Sequence, residues 1–367
     1  MIFWVEENIK ITYDNLIEDL IDGKSSFDLV GYKYFFNLLV LFKSDCNFKN
    51  LKAFQSYLLA NSSDKFFLIE TSGTTSTPKK VKVSLKKCIR QVKIYSDDNS
   101  RVWANCYPIR SYACTQVFFQ AFFNSEPIVY CFTNDFEKVN QILINEKVTN
   151  LTCTPTFLNM LIISSDVQNE HVNIVTTGGE KITDKTLNAF KSKFTKSKYI
   201  NIYASTESGS LLYSNSNEFK IPLKYKNLIK IKNNELLIHK LLINKSTKNN
   251  IIGDWFYSGD EVKMIAEDSF KFSTRKSSYI NTGGYRVNPI EIEEAILKIA
   301  TIDDVRVFGK ENSILGTIIC AEVISASLNA RDIKFYLKDV LEDYKIPQIF
   351  KMVDKLSLTK TGKKSRK

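Results

Sequence analysis

The residues best suited to chemistry sit in short polar segments that follow apolar bursts. From Thr71 the chain reads Thr-Ser-Gly-Thr-Thr-Ser-Thr-Pro-Lys-Lys, a run of hydroxyls around one glycine that closes on a basic pair. Backbone N–H groups and hydroxyls in such a run can surround phosphate oxygens, and a lysine adds charge. The Walker A spacing is absent, and taken alone the run suits a flexible surface turn equally well. Thr176-Thr177-Gly178-Gly179-Glu180 and Asn201-Ile202-Tyr203-Ala204-Ser205-Thr206-Glu207 follow. The second offers an aromatic face for a base and a hard oxygen ligand for a hard cation. In isolation, Tyr203 would also serve as a core aromatic.

Four more segments complete the series. They are Asp254-Trp255-Phe256-Tyr257-Ser258-Gly259-Asp260, Thr274-Arg275-Lys276-Ser277-Ser278-Tyr279-Ile280, the run from Thr282-Gly283-Gly284 through Pro289 to Glu294, and Leu358-Thr359-Lys360-Thr361-Gly362-Lys363-Lys364-Ser365-Arg366. Paired glycines admit close approach of a slender ligand. A basic tail is by default a solvated charge run. In this order, however, the segments resemble those of the adenylate-forming acyl-CoA synthetases, luciferases and carrier-loading adenylation domains.

That resemblance implies specific roles. Thr71, Ser72, Gly73, Thr74, Thr75 and Lys79 would hold the phosphates of ATP, with Ser76 and Lys80 standing where the family has glycines. Gly178, Gly179 and Glu180 would form the adenine turn, beside Asn201 and a stacking Tyr203. Thr206 would contact the α-phosphate and Glu207 would hold Mg²⁺. Asp260 would accept hydrogen bonds from the ribose hydroxyls, with Arg275 as a second ribose or phosphate contact. Ser277 occupies the family's hinge position, where Asp or Lys is common; a small residue can still absorb a large backbone rotation. Gly283 and Gly284 would line the path of a pantetheine thiol, and Lys363 would be the adenylation lysine. Ala204 replaces a glycine and would narrow the acyl pocket. In the loop from Arg110 to Gln116, Tyr112 stands where selectors of α-amino acids carry an Asp. Arg110 would either pair with a second carboxylate of the substrate or simply face solvent.

The elements around these segments alternate. Strands are expected at Phe66-Phe67-Leu68-Ile69, from Pro127 to Phe132, from Val148 to Cys153, from His171 to Val175 and from Tyr199 to Tyr203. Helical spacing runs from Phe136 to Glu146. This βα rhythm predicts a mainly parallel sheet with flanking helices and ligands at the carboxyl ends of its strands. After Asp260 the pattern changes to short strands with helices at Ile290 to Ile299 and Lys334 to Leu341. The expected fold is therefore α/β: a large N-terminal domain over residues 1–276 and a small, mobile α+β domain over 277–367. Fewer residues precede Thr71 than the family usually carries, although Thr12-Tyr13-Asp14-Asn15-Leu16 resembles its opening segment. The shortened form is similar to compact o-succinylbenzoate–CoA ligases.

Composition narrows the partners. The 367 residues carry 51 Lys and Arg against 40 Asp and Glu, a formal net charge of +11. The basic residues are dispersed and accompany no nucleic-acid-binding motif; the partners that the resemblance implies are a small-molecule carboxylic acid, ATP and an acceptor thiol. The longest apolar run, Tyr34 to Phe42, falls far short of the ~18 residues that span a bilayer, and the start lacks a basic signal segment; neither a membrane nor a nucleic acid is expected, and the location expected is cytoplasmic. Seven cysteines and two histidines form no zinc spacing. The implied reaction joins an acid to AMP with ATP and Mg²⁺, then transfers the acyl group to coenzyme A. The alternatives are a carrier-protein phosphopantetheine as acceptor, or a non-catalytic relative that binds. The aromatic stretch Tyr32 to Phe42 is expected to cover the shortened front end from within or to form a homodimer contact.

Overall fold

The computed structural model describes residues 1–43, 48, 50–71, 79–96, 100–165, 169–244, 247, 250–312, 316–359 and 362–366, with the backbone alone at Thr71, Lys79 and Gly316. Eight strands form the largest sheet, in the spatial order Gly209–Ser214, Lys198–Ser205, Ile174–Gly178, Asn150–Cys153, Trp103–Asn105, Ile128–Tyr130, Ile2–Glu6, Ile9–Thr12. Every ladder from Lys198–Ser205 across to Ile2–Glu6 is parallel, and the two edge ladders are antiparallel. Between the parallel strands run helices Tyr112–Phe122, Phe136–Asn145, Pro155–Ile163 and Asp184–Lys193. Ser111, Asp135, Thr154 and Thr183 cap their N-termini, each side chain accepting a backbone N–H three residues on. These caps fix where each loop ends, at the carboxyl edge of the sheet.

The front end is covered from within. Helix Val30–Lys43 buries Tyr32, Phe35, Phe36, Leu38, Leu39 and Phe42, and Phe35 stacks on Phe118 with ring centres 4.0 Å apart. Glu6, itself buried, accepts the backbone N–H groups of Gly31 and Tyr32 and the indole N–H of Trp4. One carboxylate thus ties the strand Ile2–Glu6 to the helix N-terminus, where the helix dipole favours it. The aromatic stretch thus covers the front end from within, the first of the two roles expected from sequence, while Leu41 on the same helix stays exposed.

Two expectations shift. The strand Phe66–Thr71 pairs antiparallel with Lys79–Ser84 in its own two-stranded sheet rather than joining the parallel one. The antiparallel region also begins well before Asp260. Strands Glu218–Lys220, Ser269–Arg275, Trp255–Ala266, Glu235–His239 and Ile229–Lys232 form a second sheet, with Ile251–Ile252 added to it. Its alternation, as in Lys230-Ile231-Lys232, is that of a half-exposed strand. Asn233 and Asn234, at φ 51° and 58°, make the tight turn between two of its strands.

Beyond Arg275, a hairpin of Ile280–Thr282 and Tyr285–Val287 leads into helix Pro289–Leu297. The strands Ile302–Asn312, Gly316–Ser325 and Ile349–Met352 form a three-stranded sheet against which helix Ala330–Lys338 packs. Ile280, Val287, Ile292, Ile296, Val305, Val307, Ile319, Val323, Ile333 and Leu337 make its separate core. No helix among the described residues is long and apolar enough to cross a membrane.

Candidate active site

Lys363 meets the turn at Gly178, Gly179 and Glu180 from the far end of the chain. A Cβ on Gly179 would lie 3.2 Å from both Cε and Nζ of Lys363, and Gly179 has φ +86°. Glycine therefore serves twice here, once for the backbone and once for the amine's approach. The loop carrying Lys363 is seated on the large domain by two contacts. Thr154 Oγ1 donates to the Gly362 carbonyl at 3.1 Å, and the Lys364 N–H donates to Glu180 Oε1 at 3.1 Å. Burial lowers the Lys363 pKa from the ordinary lysine value, while the Glu180 carboxylate opposes that shift and the Arg275 charge adds to it. Among the described residues the Lys363 amine has no ion-pair or hydrogen-bond partner.

Tyr203, Asp260 and Arg275 form a second station. Tyr203 donates to Asp260 Oδ2 at 2.7 Å, and Arg275 Nε donates to Oδ1 at 2.5 Å. The register of the hairpin sets Asp260 directly opposite Arg275, so the pair is built by strand pairing. The Tyr203 ring stacks on Phe272 at 4.5 Å. Burial, then the Asp260 charge, raises the Tyr203 pKa; Asp260 raises that of Arg275.

Asn201, in the middle of the same strand as Tyr203, is buried and donates to the Ser216 carbonyl at 2.9 Å. Ala204, Thr206 and Glu207 are half-buried beyond it. Asn244 was not found from sequence: its side chain donates to the Thr206 carbonyl and its backbone N–H to that of Glu207, both at 2.6 Å. It lies in a Lys- and Asn-rich stretch whose pattern gives no sign of a clamp. A single carboxylate suits Mg²⁺, which usually takes one or two protein carboxylates and completes its shell with phosphates and water. Among the described residues no group of three or more His, Cys, Asp or Glu could hold a metal by itself.

Tyr112 and Arg110, expected to lie near the acid, are placed differently. The buried Tyr112 begins helix Tyr112–Phe122, and a Cβ on Gly209 would meet its hydroxyl at 2.8 Å. Arg110 is exposed and pairs with Glu70 at 3.0 Å. Ser72, Gly73, Thr74 and Thr75 lie outside the described residues, as do the side chains of Thr71 and Lys79. Gly283 and Gly284 are not brought to Lys363: a Cβ on either would meet nothing within 4 Å. Ser277 lies in the short turn Lys276–Ser278, flanked by a Lys276–Glu235 ion pair at 2.6 Å and a Tyr279–Glu261 hydrogen bond at 2.6 Å.

The family described as AMP-binding enzyme matches residues 40–231, and the AMP-binding enzyme C-terminal domain matches residues 291–363. A 2-succinylbenzoate–CoA ligase of Listeria monocytogenes is 24% identical over 318 residues, covering 81% of this chain and 68% of the ligase. Bacitracin synthase 1 of Bacillus licheniformis is 26% identical over 359 residues; the match takes in 83% of this chain but only 6% of that much longer synthase. The structure of o-succinylbenzoate CoA synthetase from Bacillus subtilis with its acyl-adenylate intermediate superimposes with a TM-score of 0.67 at 16% identity, over 97% of this chain and 92% of that one. At that identity the likeness establishes the shared fold.

Proposed function

This chain belongs to the AMP-binding enzyme family, and from that premise we propose that it activates a carboxylic acid with ATP as an acyl-adenylate and passes the acyl group to the thiol of coenzyme A. The observation that carries the reading is the meeting of Lys363 with Gly179, 3.2 Å from the site a Cβ would take. It joins the last motif of the chain to the adenine turn. The relatives named as CoA ligases support coenzyme A as acceptor, and the likeness to bacitracin synthase 1 keeps a carrier-borne phosphopantetheine as the other acceptor.

In this reading the acid's carboxylate attacks the α-phosphorus of ATP and pyrophosphate leaves in line. Catalysis is then positioning and charge neutralisation. Lys363 offsets the charge that develops on the phosphates. Glu207, held through its carbonyl by Asn244, would carry Mg²⁺, which supplies further neutralisation. Asp260 turns from Tyr203 and Arg275 toward the ribose hydroxyls, and Tyr203 stacks on the adenine. Residues 1–276 act as the adenylation domain and 277–367 as a lid that turns about Ser277. Two features support the lid: its separate core, and anchored side chains on either side of the turn. Its rotation would withdraw Lys363 and bring Gly284 toward the cleft for thiol attack.

The test is ATP–pyrophosphate exchange across a panel of short aliphatic, aromatic and dicarboxylic acids. Exchange that depends on one class of acid is the expected result. No exchange with any acid, from protein that melts cooperatively, would overturn the reading.

A further inference from the structure

The tail that carries Lys363 holds more cations than one reaction needs, and the lid sorts them. Lys364 reaches into the lid, where its Nζ lies 2.7 Å from Asp304 Oδ1 and 2.7 Å from the Val305 carbonyl. Arg366 grips both oxygens of Glu293, with Nη2 to Oε2 at 2.9 Å, and donates to the Val307 carbonyl at 2.9 Å. Arg306, paired with Glu322 at 2.8 Å, donates to the Ser365 carbonyl at 2.7 Å. Glu322 in turn accepts the Ser357 N–H at 3.2 Å, where the tail begins. Glu293, Asp304 and Glu322 are 5%, 2% and 7% exposed.

Two physical arguments give this network a purpose beyond holding the lid together. Buried ion pairs seldom stabilise more than well-packed apolar groups of similar size, because each charge must be desolvated. Three buried acids gathered around one short tail therefore point to specificity of arrangement. The second argument is directional. Leu358 and Lys364 form an antiparallel bridge, and Lys363 lies in the bend just before it, after Gly362 at φ 70°. Anchoring positions 364 and 366 on the lid turns position 363 outward. There Lys363 meets Gly179, while its neighbours' charges are spent.

We propose that Glu293 and Asp304 are positioning residues for adenylation. By binding Arg366 and Lys364 they aim Lys363 into the cleft and keep the other two cations off the phosphates. This rests on Lys363 acting in adenylate formation. Such a role differs from structural support in one respect. It concerns only the half-reaction that uses Lys363, so transfer from a preformed adenylate should not need it.

The experiment compares Glu293→Gln, Asp304→Asn and Arg366→Lys with the parent enzyme and with Lys363→Ala, in two assays and a thermal melt. Each substitution keeps the side chain's size or charge, which protects folding. A displacement of about 1 Å can cost roughly 10²-fold in rate. Pyrophosphate exchange should therefore fall about 10- to 100-fold through kcat, with thioester formation from synthetic acyl-adenylate unchanged. Arg366→Lys, which keeps charge but loses the bidentate grip, should fall least. Equal losses in both assays, or exchange at the parent rate, would overturn the proposal. If a variant melts early, the double exchange Glu293→Arg with Arg366→Glu decides: it should regain exchange relative to Glu293→Arg alone, and no recovery counts against positioning. Lys363→Ala separates the two claims. Should it keep normal exchange, the underlying reading fails; should it alone lose exchange, only the positioning role fails.

Discussion

Two charged stations face the same cleft and are built in opposite ways. On the large domain, Tyr203, Asp260 and Arg275 satisfy one another at 2.5–2.7 Å. On the small C-terminal domain, Lys363 is left without a partner among the described residues while Lys364 and Arg366 are tied down. The first arrangement suits a site that waits for its ligand with its polar groups already paired, since a buried unpaired group is costly. The second suits a charge that arrives, acts and leaves. It follows that the first station should matter whenever a ribose is bound, and the second only while pyrophosphate is leaving.

The largest effect should come from the lid. Removing one contact to charge that develops in a transition state costs ~10²–10³ in rate, so Lys363→Ala should slow pyrophosphate exchange by that factor, measured at saturating ATP. A loss below about fivefold would erase the distinction between the stations.

Next comes pH. Because burial lowers the Lys363 pKa, its charge is lost on the alkaline side at a lower pH than for an exposed lysine. The kcat/KM of exchange should then decline by about tenfold per pH unit above that point, as loss of one required proton dictates. Lys363→Arg, whose guanidinium stays protonated, should move this limb upward even if its rate is lower. An unmoved limb would assign the titration to another group.

Asp260→Asn should act more mildly but in both half-reactions, because ATP and the adenylate carry the same ribose. Hydrogen bonds to charged groups contribute about 1.5–3 kcal/mol, so an increase of roughly tenfold in KM for ATP is expected, with a similar increase for synthetic adenylate. An effect confined to ATP would show that Asp260 reads phosphate instead.

The smallest effect belongs to Arg110. Its pair with Glu70 is exposed on the arginine side, and such pairs contribute about 0–1 kcal/mol. Arg110→Ala should hardly change Tm. It should raise KM for dicarboxylic acids while sparing monocarboxylic acids of equal length, if the arginine meets a second carboxylate; equal KM values for both would make it a surface residue.

How far the sequence could be read follows the same division. Lys363, Gly179, Asp260 and Arg275 could be singled out because each lies in a short segment whose chemistry and order are distinctive. What lay outside local pattern was not. The Asp260–Arg275 pair depends on hairpin register. Asn244 reaches Thr206 and Glu207 from a loop whose composition carries no signal. Glu293 and Asp304 look like ordinary surface acids until the tail folds back on them. The parallel sheet was read correctly from its βα rhythm. The antiparallel sheet from Glu218 to Arg275 was missed at its start, because its first strands, Glu218–Lys220 and Ile229–Lys232, are only three and four residues long.

One measurement bears most directly on the contrast between the stations: thioester formation by Lys363→Ala when it is given synthetic acyl-adenylate and coenzyme A, bypassing ATP. The account predicts a rate close to that of the parent enzyme, because a lid that has turned about Ser277 no longer holds position 363 in the cleft. A loss as large as that in pyrophosphate exchange, in protein with an unchanged melt, would contradict it and leave Lys363 serving both steps from one position.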